Sequence, residues 1–188
     1  MARKKINRIE LIKTTERLLL EQGYGGFNFS ALSTMLEIGR STLYEYYASK
    51  DELIVDYMHE LMKNYTTELS TITAHENAKN QLIQLIELMI KYAHIHNILK
   101  MIPLLQSKSQ AVVAMKEQFV DDHLNIIQKI KSIIHHGKQR KIVREEIPTD
   151  VLVNLLFNTI NKPTSLEMDN ATWANWIWEI LYVGMGTE

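Results

Sequence analysis

Apolar side chains return every three or four positions along nearly the whole chain, the spacing of one face of an α-helix. Leu11, Thr15, Leu18 and Leu19 form the first such face, and Gly23 closes it. Asn28 or Ser30 can accept a bond from a free backbone N–H and so cap a short second helix over residues 31–36. A third short helix follows over 41–47. Ser49 and Glu52, three apart, form a capping box. It opens a long fourth helix with the stripe Ile54, Tyr57, Met58, Leu61, Met62 and Tyr65, broken by residues 71–77. Leu82, Leu85, Ile86, Met89 and Ala93 mark a fifth helix, and residues 97–106, containing Pro103, a short sixth. The longest covers 109–136 with Val112, Met115, Phe119, His123, Ile126, Ile130 and Ile133 on one stripe, and Gly137 is expected to supply its left-handed last residue. After a charged loop over 138–148, Pro148, Thr149 and Asp150 start an eighth helix, with Pro163 near its end. Asn170 or Thr172 starts a ninth that runs to Gly184. No strand pattern, repeat or low-complexity tract is present. The predicted fold is all-α, with about nine helices.

Composition narrows the classes. At 188 residues the chain is close to one ordinary domain, or a small reader module on a larger body. It has no cysteine, which excludes a disulfide framework, a thiolate zinc site and a cysteine nucleophile. No apolar run approaches the roughly 18 residues of a membrane span. Glu10 and Lys13 interrupt what would be the apolar part of a signal peptide after Arg3, Lys4, Lys5 and Arg8. A cytoplasmic protein without a membrane partner is expected. The net charge of −1 hides a split: residues 1–50 hold eight Lys and Arg against five Glu, and the remainder holds thirteen against seventeen acidic residues. A basic end on an acidic body suits contact with a polyanion.

Two short helices separated by a tight turn, inside that basic end, match a helix-turn-helix, whose second helix enters the DNA major groove. The stretch from Gly23-Tyr24 through Thr42-Leu43-Tyr44-Glu45-Tyr46-Tyr47 to Ser49-Lys50-Asp51-Glu52-Leu53 resembles the DNA-binding region of TetR-type bacterial regulators. That family shows Gly-Tyr after its first helix, Thr-Leu-Tyr and further aromatics in its third, and Ser-Lys-Glu/Asp-x-Leu at the start of its fourth. The resemblance is specific over residues 9–53. Departures are Glu37 where the turn usually has Gly, Asn28-Phe29-Ser30 at the start of the second helix, and Ser41 before Thr42. The resemblance implies a homodimeric, sequence-specific transcriptional regulator, a repressor released by a small apolar ligand. The rival reading is a DNA-bound architectural or division-control protein of the same fold, without an inducer. Residues 1–50 would read double-stranded operator DNA, and residues 51–188 would form a helical ligand-binding and dimerisation domain.

The chemistry of the first fifty residues fits that role. Arg40 can make a two-pronged contact to a guanine edge, and Lys50 offers charge to phosphate. Ser30, Ser41 and Thr42 are small hydroxyls near helix starts, where backbone N–H groups also favour phosphate. Tyr44 and Tyr46 can donate to phosphate or stack on sugar, while Tyr47 is expected in the core. For ligand contact the candidates are Met62, Tyr65, Met89, Tyr92, Met115, Phe119 and His123, because flexible thioethers and aromatics suit an adaptable apolar pocket. His123 reads as a core histidine or a polar anchor. For dimerisation, Leu152, Leu155, Leu156 and Thr159 face a stripe of Trp173, Trp176, Ile177, Ile180 and Leu181.

Catalysis and metal binding have little support in the pattern. There is no Gly-rich phosphate loop or nucleophile elbow, and no paired-carboxylate site, so neither an enzyme nor a cofactor is expected. His94 and His96, like His135 and His136, point to different faces of a regular helix and do not chelate as pairs.

Overall fold

Helix ends decide where these elements begin and stop. The protein, represented by a computed structural model, is described over residues 6–72, 77–160 and 168–185, apart from the side chains of residues 96, 97 and 185. Arg3, Lys4, Lys5, His75 and Pro163 lie outside that range, as does the side chain of His96. Among the described residues the structure is all-α, with nine helices, one 3-10 turn and no strand.

Helix α1 (Arg8–Gly26) is capped by the Asn7 carboxamide and buries the expected Leu11, Thr15, Leu18 and Leu19. Gly23 kinks it, at φ 64° and ψ −179°, a conformation that side chains exclude. Helix α2 (Phe29–Met35) starts at Asn28, whose side chain accepts from Ala31 N at 2.9 Å, and α3 covers Arg40–Tyr44. In α4 (Lys50–Thr71) the capping box forms in a shifted version. Glu52 N donates to Ser49 Oγ at 3.3 Å, while the Glu52 carboxylate accepts from Ala48 N at 2.9 Å. Next come α5 (Ala78–Lys91), capped by Asn77, and α6 (Ile95–Leu99). The expected sixth helix is divided. α6 is followed by a separate 3-10 turn over Ile102–Leu104, because Pro103 lacks an N–H and disfavours helical geometry at the residue before it. Helices α7 (Gln110–Gln139), α8 (Thr149–Thr159) and α9 (Asn170–Met185) complete the chain, and Asp169 caps α9 through Thr172.

The chain forms two compact units, residues 1–62 with 94–120 and residues 63–93 with 121–188. In the first, Leu18, Leu19, Phe27, Leu32, Leu43, Leu53, Ile54 and Met58 make a closed core. In the second, α9 packs along α5, and Ala174, Ile177, Trp178 and Leu181 are buried, as are Leu82, Leu85, Ile86 and Met89.

Gly137 does not end α7 in a left-handed turn as expected. The helix continues to Gln139, and the positive φ falls on Lys141 at 55°. The glycine is needed for space: a Cβ there would lie 3.0 Å from Val143 and 3.2 Å from Leu82, both buried. The loop returns against this point, with Ile142 N and Val143 N donating to the Gly137 carbonyl. Gly137→Ala should therefore destabilise the protein by about 1 kcal/mol, since overpacking outweighs the helix propensity it adds. A urea titration checks this, and a gain in stability would show that the loop can shift away.

Candidate nucleic-acid interface

The turn between α2 and α3 sets how the reading helix is presented. Glu37 N donates to the Thr34 carbonyl and Ile38 N to the Ser33 carbonyl, the double closure of a Schellman motif. That motif needs a left-handed residue, and Glu37 fills the position with φ 53°. The departure seen in the sequence is thus a conformational cost as well as a negative charge. Beyond it, Gly39 begins α3, and Thr42 N donates to the Gly39 carbonyl at 2.9 Å.

Of the residues expected to meet DNA, Ser30, Arg40, Ser41, Tyr44 and Tyr46 are exposed. Ser30, Arg40 and Tyr44 line one open cleft of about 430 Å³, together with Asn28, Phe29, Ala48, Ser49 and Lys50. Arg40 is held, not loose. Its guanidinium donates to Tyr44 Oη at 3.0 Å and lies 5.4 Å from that ring's centre, and Phe29 meets the same ring edge-on at 5.0 Å. An ordered guanidinium loses less freedom when it meets a base edge or a phosphate.

Two expected contacts are placed otherwise. Thr42 is only 8% exposed, turned into the small domain beside Leu43. Lys50 donates to the carbonyls of Tyr24 and Phe27 at 2.9 and 3.2 Å, and its ammonium lies 4.0 Å from the Tyr24 ring centre. Those carbonyls end α1 and have lost their helical partners, so Lys50 secures the α1–α2 turn. It still borders the cleft, but its first role is structural.

A second polar knot joins α1, the end of the reading segment and α4. Arg8 donates both guanidinium branches to Asp56 at 2.9 and 3.0 Å, and Tyr47 Oη donates to the same carboxylate at 2.6 Å. Burial pushes the Asp56 carboxyl up, but the Arg8 and Tyr47 bonds outweigh it and hold the group below its ordinary value. Tyr47, expected in the core, is half-buried here, its hydroxyl raised by burial and by Asp56. Sequence spacing did not point to this knot, because Arg8 and Asp56 are 48 residues apart.

The segment carrying this geometry, residues 11–57, matches the sequence model of the bacterial regulatory proteins of the tetR family. The match spans the helix-turn-helix and the start of α4. Solved structures agree in fold across the whole chain. It resembles the ketosteroid transcriptional regulator KstR2 of Mycobacterium tuberculosis, with a TM-score of 0.77, 13% identity and 100% of both chains covered. It also resembles FadR from Bacillus subtilis, solved with stearoyl-CoA, at TM-score 0.65 and 16% identity over 95% of this chain and 99% of that one. A third likeness is to AibR, solved with isovaleryl coenzyme A and operator DNA, at TM-score 0.70 and 12% identity over 92% and 96%. At these identities the likeness shows the TetR-type fold. Comparison with curated protein sequences finds no match.

The ligand candidates divide between the units. Met62 and Phe119 in the first, and Tyr65, Met89 and Tyr92 in the second, are buried, while Met115 is half-buried. His123 is exposed, so it is not a core histidine. Within the second unit Tyr65 and Tyr92 meet edge-to-face at 5.2 Å, and Tyr92 Oη donates to Glu68 at 2.7 Å. Glu68 also receives Lys91 at 2.7 Å and borders an open cleft of about 460 Å³ with Thr71, Ile72, Gln84, Glu87 and Leu88. Three further histidines have protein partners: His94 pairs with Glu16, His135 with Gln139, and His136 with Gln81. Among the described residues no group of His, Asp and Glu converges as a metal site, and no helix is long and apolar enough to cross a membrane.

Glu37→Gly should raise stability by about 0.5–1 kcal/mol, because glycine enters the left-handed region without the Cβ clash. It should also tighten binding to any DNA by removing a negative charge from the turn. Thermal melts and binding titrations at two salt concentrations check both effects, and an unchanged melt would show that the turn carries no strain.

Proposed function

We propose that the protein is a homodimeric, sequence-specific DNA-binding transcriptional regulator, a repressor released by a small apolar ligand. Residues 1–50 read the operator, and residues 51–188 sense and dimerise. The observation that carries the reading is the exposed face of Ser30, Arg40, Ser41, Tyr44 and Tyr46 on a helix-turn-helix within the matched segment. Arg40 reads a guanine edge, and the hydroxyls of Ser30, Ser41, Tyr44 and Tyr46 position the helix on phosphates. Fixed-salt titration of a selected operator tests this. Arg40→Ala should weaken binding by about 1–3 kcal/mol and relax preference at one base pair per half-site; full affinity with unaltered preference would refute the assignment.

Dimerisation is proposed through the outward faces of α8 and α9, which differ in part from the stripes that spacing picks out. Leu152, Leu156, Ile177 and Leu181 are buried in the protomer's own core, and Thr159 and Trp173 are half-buried. The outward apolar residues are Val151 and Leu155 on α8, and Trp176, Ile180 and Val183 on α9, the last three 56%, 67% and 84% exposed. Apolar rows of this kind on two helices mark an interface. A twofold pairing would set two recognition helices roughly 34–36 Å apart or somewhat more, to suit successive major grooves. Ile180→Glu should give folded monomers in sedimentation and weaken operator binding; a folded variant that stays dimeric refutes the interface.

Release by ligand requires tighter binding to the DNA-released conformation, and a hundredfold loss of occupancy needs about 2.8 kcal/mol of coupling. The buried Tyr65, Met89 and Tyr92 of the second unit are the proposed ligand contacts. Tyr92 would anchor a polar end. Two of the similar proteins were solved with acyl-coenzyme A molecules, so stearoyl-CoA and isovaleryl-CoA join lipophilic cations as probes. A fall in operator affinity with any of them supports the inducer reading. No effect from the whole panel favours the architectural alternative.

A further inference from the structure

Asp51 lies in the first turn of α4, yet it is only 4% exposed and its carboxylate is directed to donors outside its own helix. Tyr24 Oη donates to Oδ1 at 2.9 Å, and the backbone N–H groups of Gln106 and Ser107 each donate to Oδ2 at 2.7 Å. Tyr24 follows the Gly23 kink and lies under the Lys50 ammonium. Gln106 and Ser107 belong to the short segment that leads into α7. That segment is itself tied to α7: Lys116 Nζ donates to the Leu105 carbonyl at 3.0 Å, and Ser109 Oγ accepts from Val112 N at 3.4 Å. All of these residues lie in the same compact unit.

We propose that Asp51 is a positioning residue for DNA recognition, clamping the reading segment to the loop that opens α7, so that this loop sets operator affinity without touching DNA. Three donors converge on one buried carboxylate from two places that local sequence does not connect. Charge-assisted bonds of this kind are shorter and stronger than neutral ones, and losing the acceptor leaves two backbone N–H groups without a partner. Tyr24 can serve as donor throughout the neutral range, because burial first and the Asp51 bond second raise its hydroxyl above the ordinary value. The start of α4 is therefore fixed to α1 on one side and to the α7 loop on the other. A shift of the loop then moves the frame that carries α2 and α3.

The proposal rests on the DNA-binding reading, and the test separates the two. Asp51→Asn keeps the shape and an acceptor oxygen for the loop N–H groups but replaces charge-assisted bonds by weaker neutral ones. It should weaken operator binding roughly tenfold with an unchanged salt slope, although it removes a negative charge that phosphate would repel. Lys116→Met, which releases Leu105 while keeping the stem, should weaken binding by a smaller factor, and the double variant should be no worse than Asp51→Asn alone. Amide exchange should show Gln106 and Ser107 losing protection in Asp51→Asn. Folded Asp51→Asn with wild-type affinity, or two effects that simply multiply, overturns the proposal. If Asp51→Asn fails to fold, Lys116→Met decides alone, and retained affinity overturns it. If the wild-type protein selects no DNA, the functional reading fails, and unchanged protection of Gln106 and Ser107 in Asp51→Asn would overturn the clamp as well.

Discussion

A carboxylate withdrawn from water needs donors around it, and the first two turns of α4 hold one buried and one half-buried example. Asp51 gathers a tyrosine hydroxyl and two backbone N–H groups, and Asp56 gathers Arg8 and Tyr47. Between them they bring the start and the end of α1, the end of the reading segment and the α7 loop onto one short stretch of helix. An exposed ion pair contributes little by itself. These contribute through geometry: each ties residues far apart in the sequence to one helix. The two reading helices, of seven and five residues, are too short to be stable alone, so their orientation is inherited from α1 and α4.

That dependence explains why the reading face is exposed and yet ordered. Leu32 and Leu43 sit in the small core with no exposure, and each turn presents the next few residues outward. Tyr44 belongs to both sides. Its ring packs against Phe29 while its hydroxyl receives Arg40, so apolar packing determines where this exposed guanidinium is held. The family match over residues 11–57 covers this constellation, and the solved structures extend the likeness to the fold of the whole chain.

Much of this was legible in the sequence, and the failures share one physical cause. Local signals were reliable: Asn28 caps α2, Ser49 and Glu52 open α4, and the α1 face is buried residue for residue. What depended on a distant partner was not visible. Lys50 reads as a phosphate contact until the carbonyls 23 and 26 residues earlier are seen beneath it. Gly137 reads as a helix end until Val143 and Leu82 are seen against it. Helix α9 is apolar on nearly every side, so periodicity cannot choose which residues turn inward; packing on α5 selects Ile177 and Leu181 and leaves Trp176, Ile180 and Val183 outside. On α7 the stripe extrapolated through His123, but a histidine without a buried partner lies more favourably in water.

The loop after α7 shows what such distant contacts do for a segment that looks loose. Residues 138–148 carry Lys138, Arg140, Lys141 and Arg144 in a turn-rich stretch, a composition that suggests an easy site for trypsin. Yet Val143 is buried, its N–H and that of Ile142 bind the Gly137 carbonyl, and Lys138 donates to the carbonyls of Glu145 and Ile147. A protease must draw its substrate out into an extended strand several residues long, which here means pulling Val143 from its seat and breaking these bonds. Cutting would then follow local opening of the loop, not the number of basic residues on its surface.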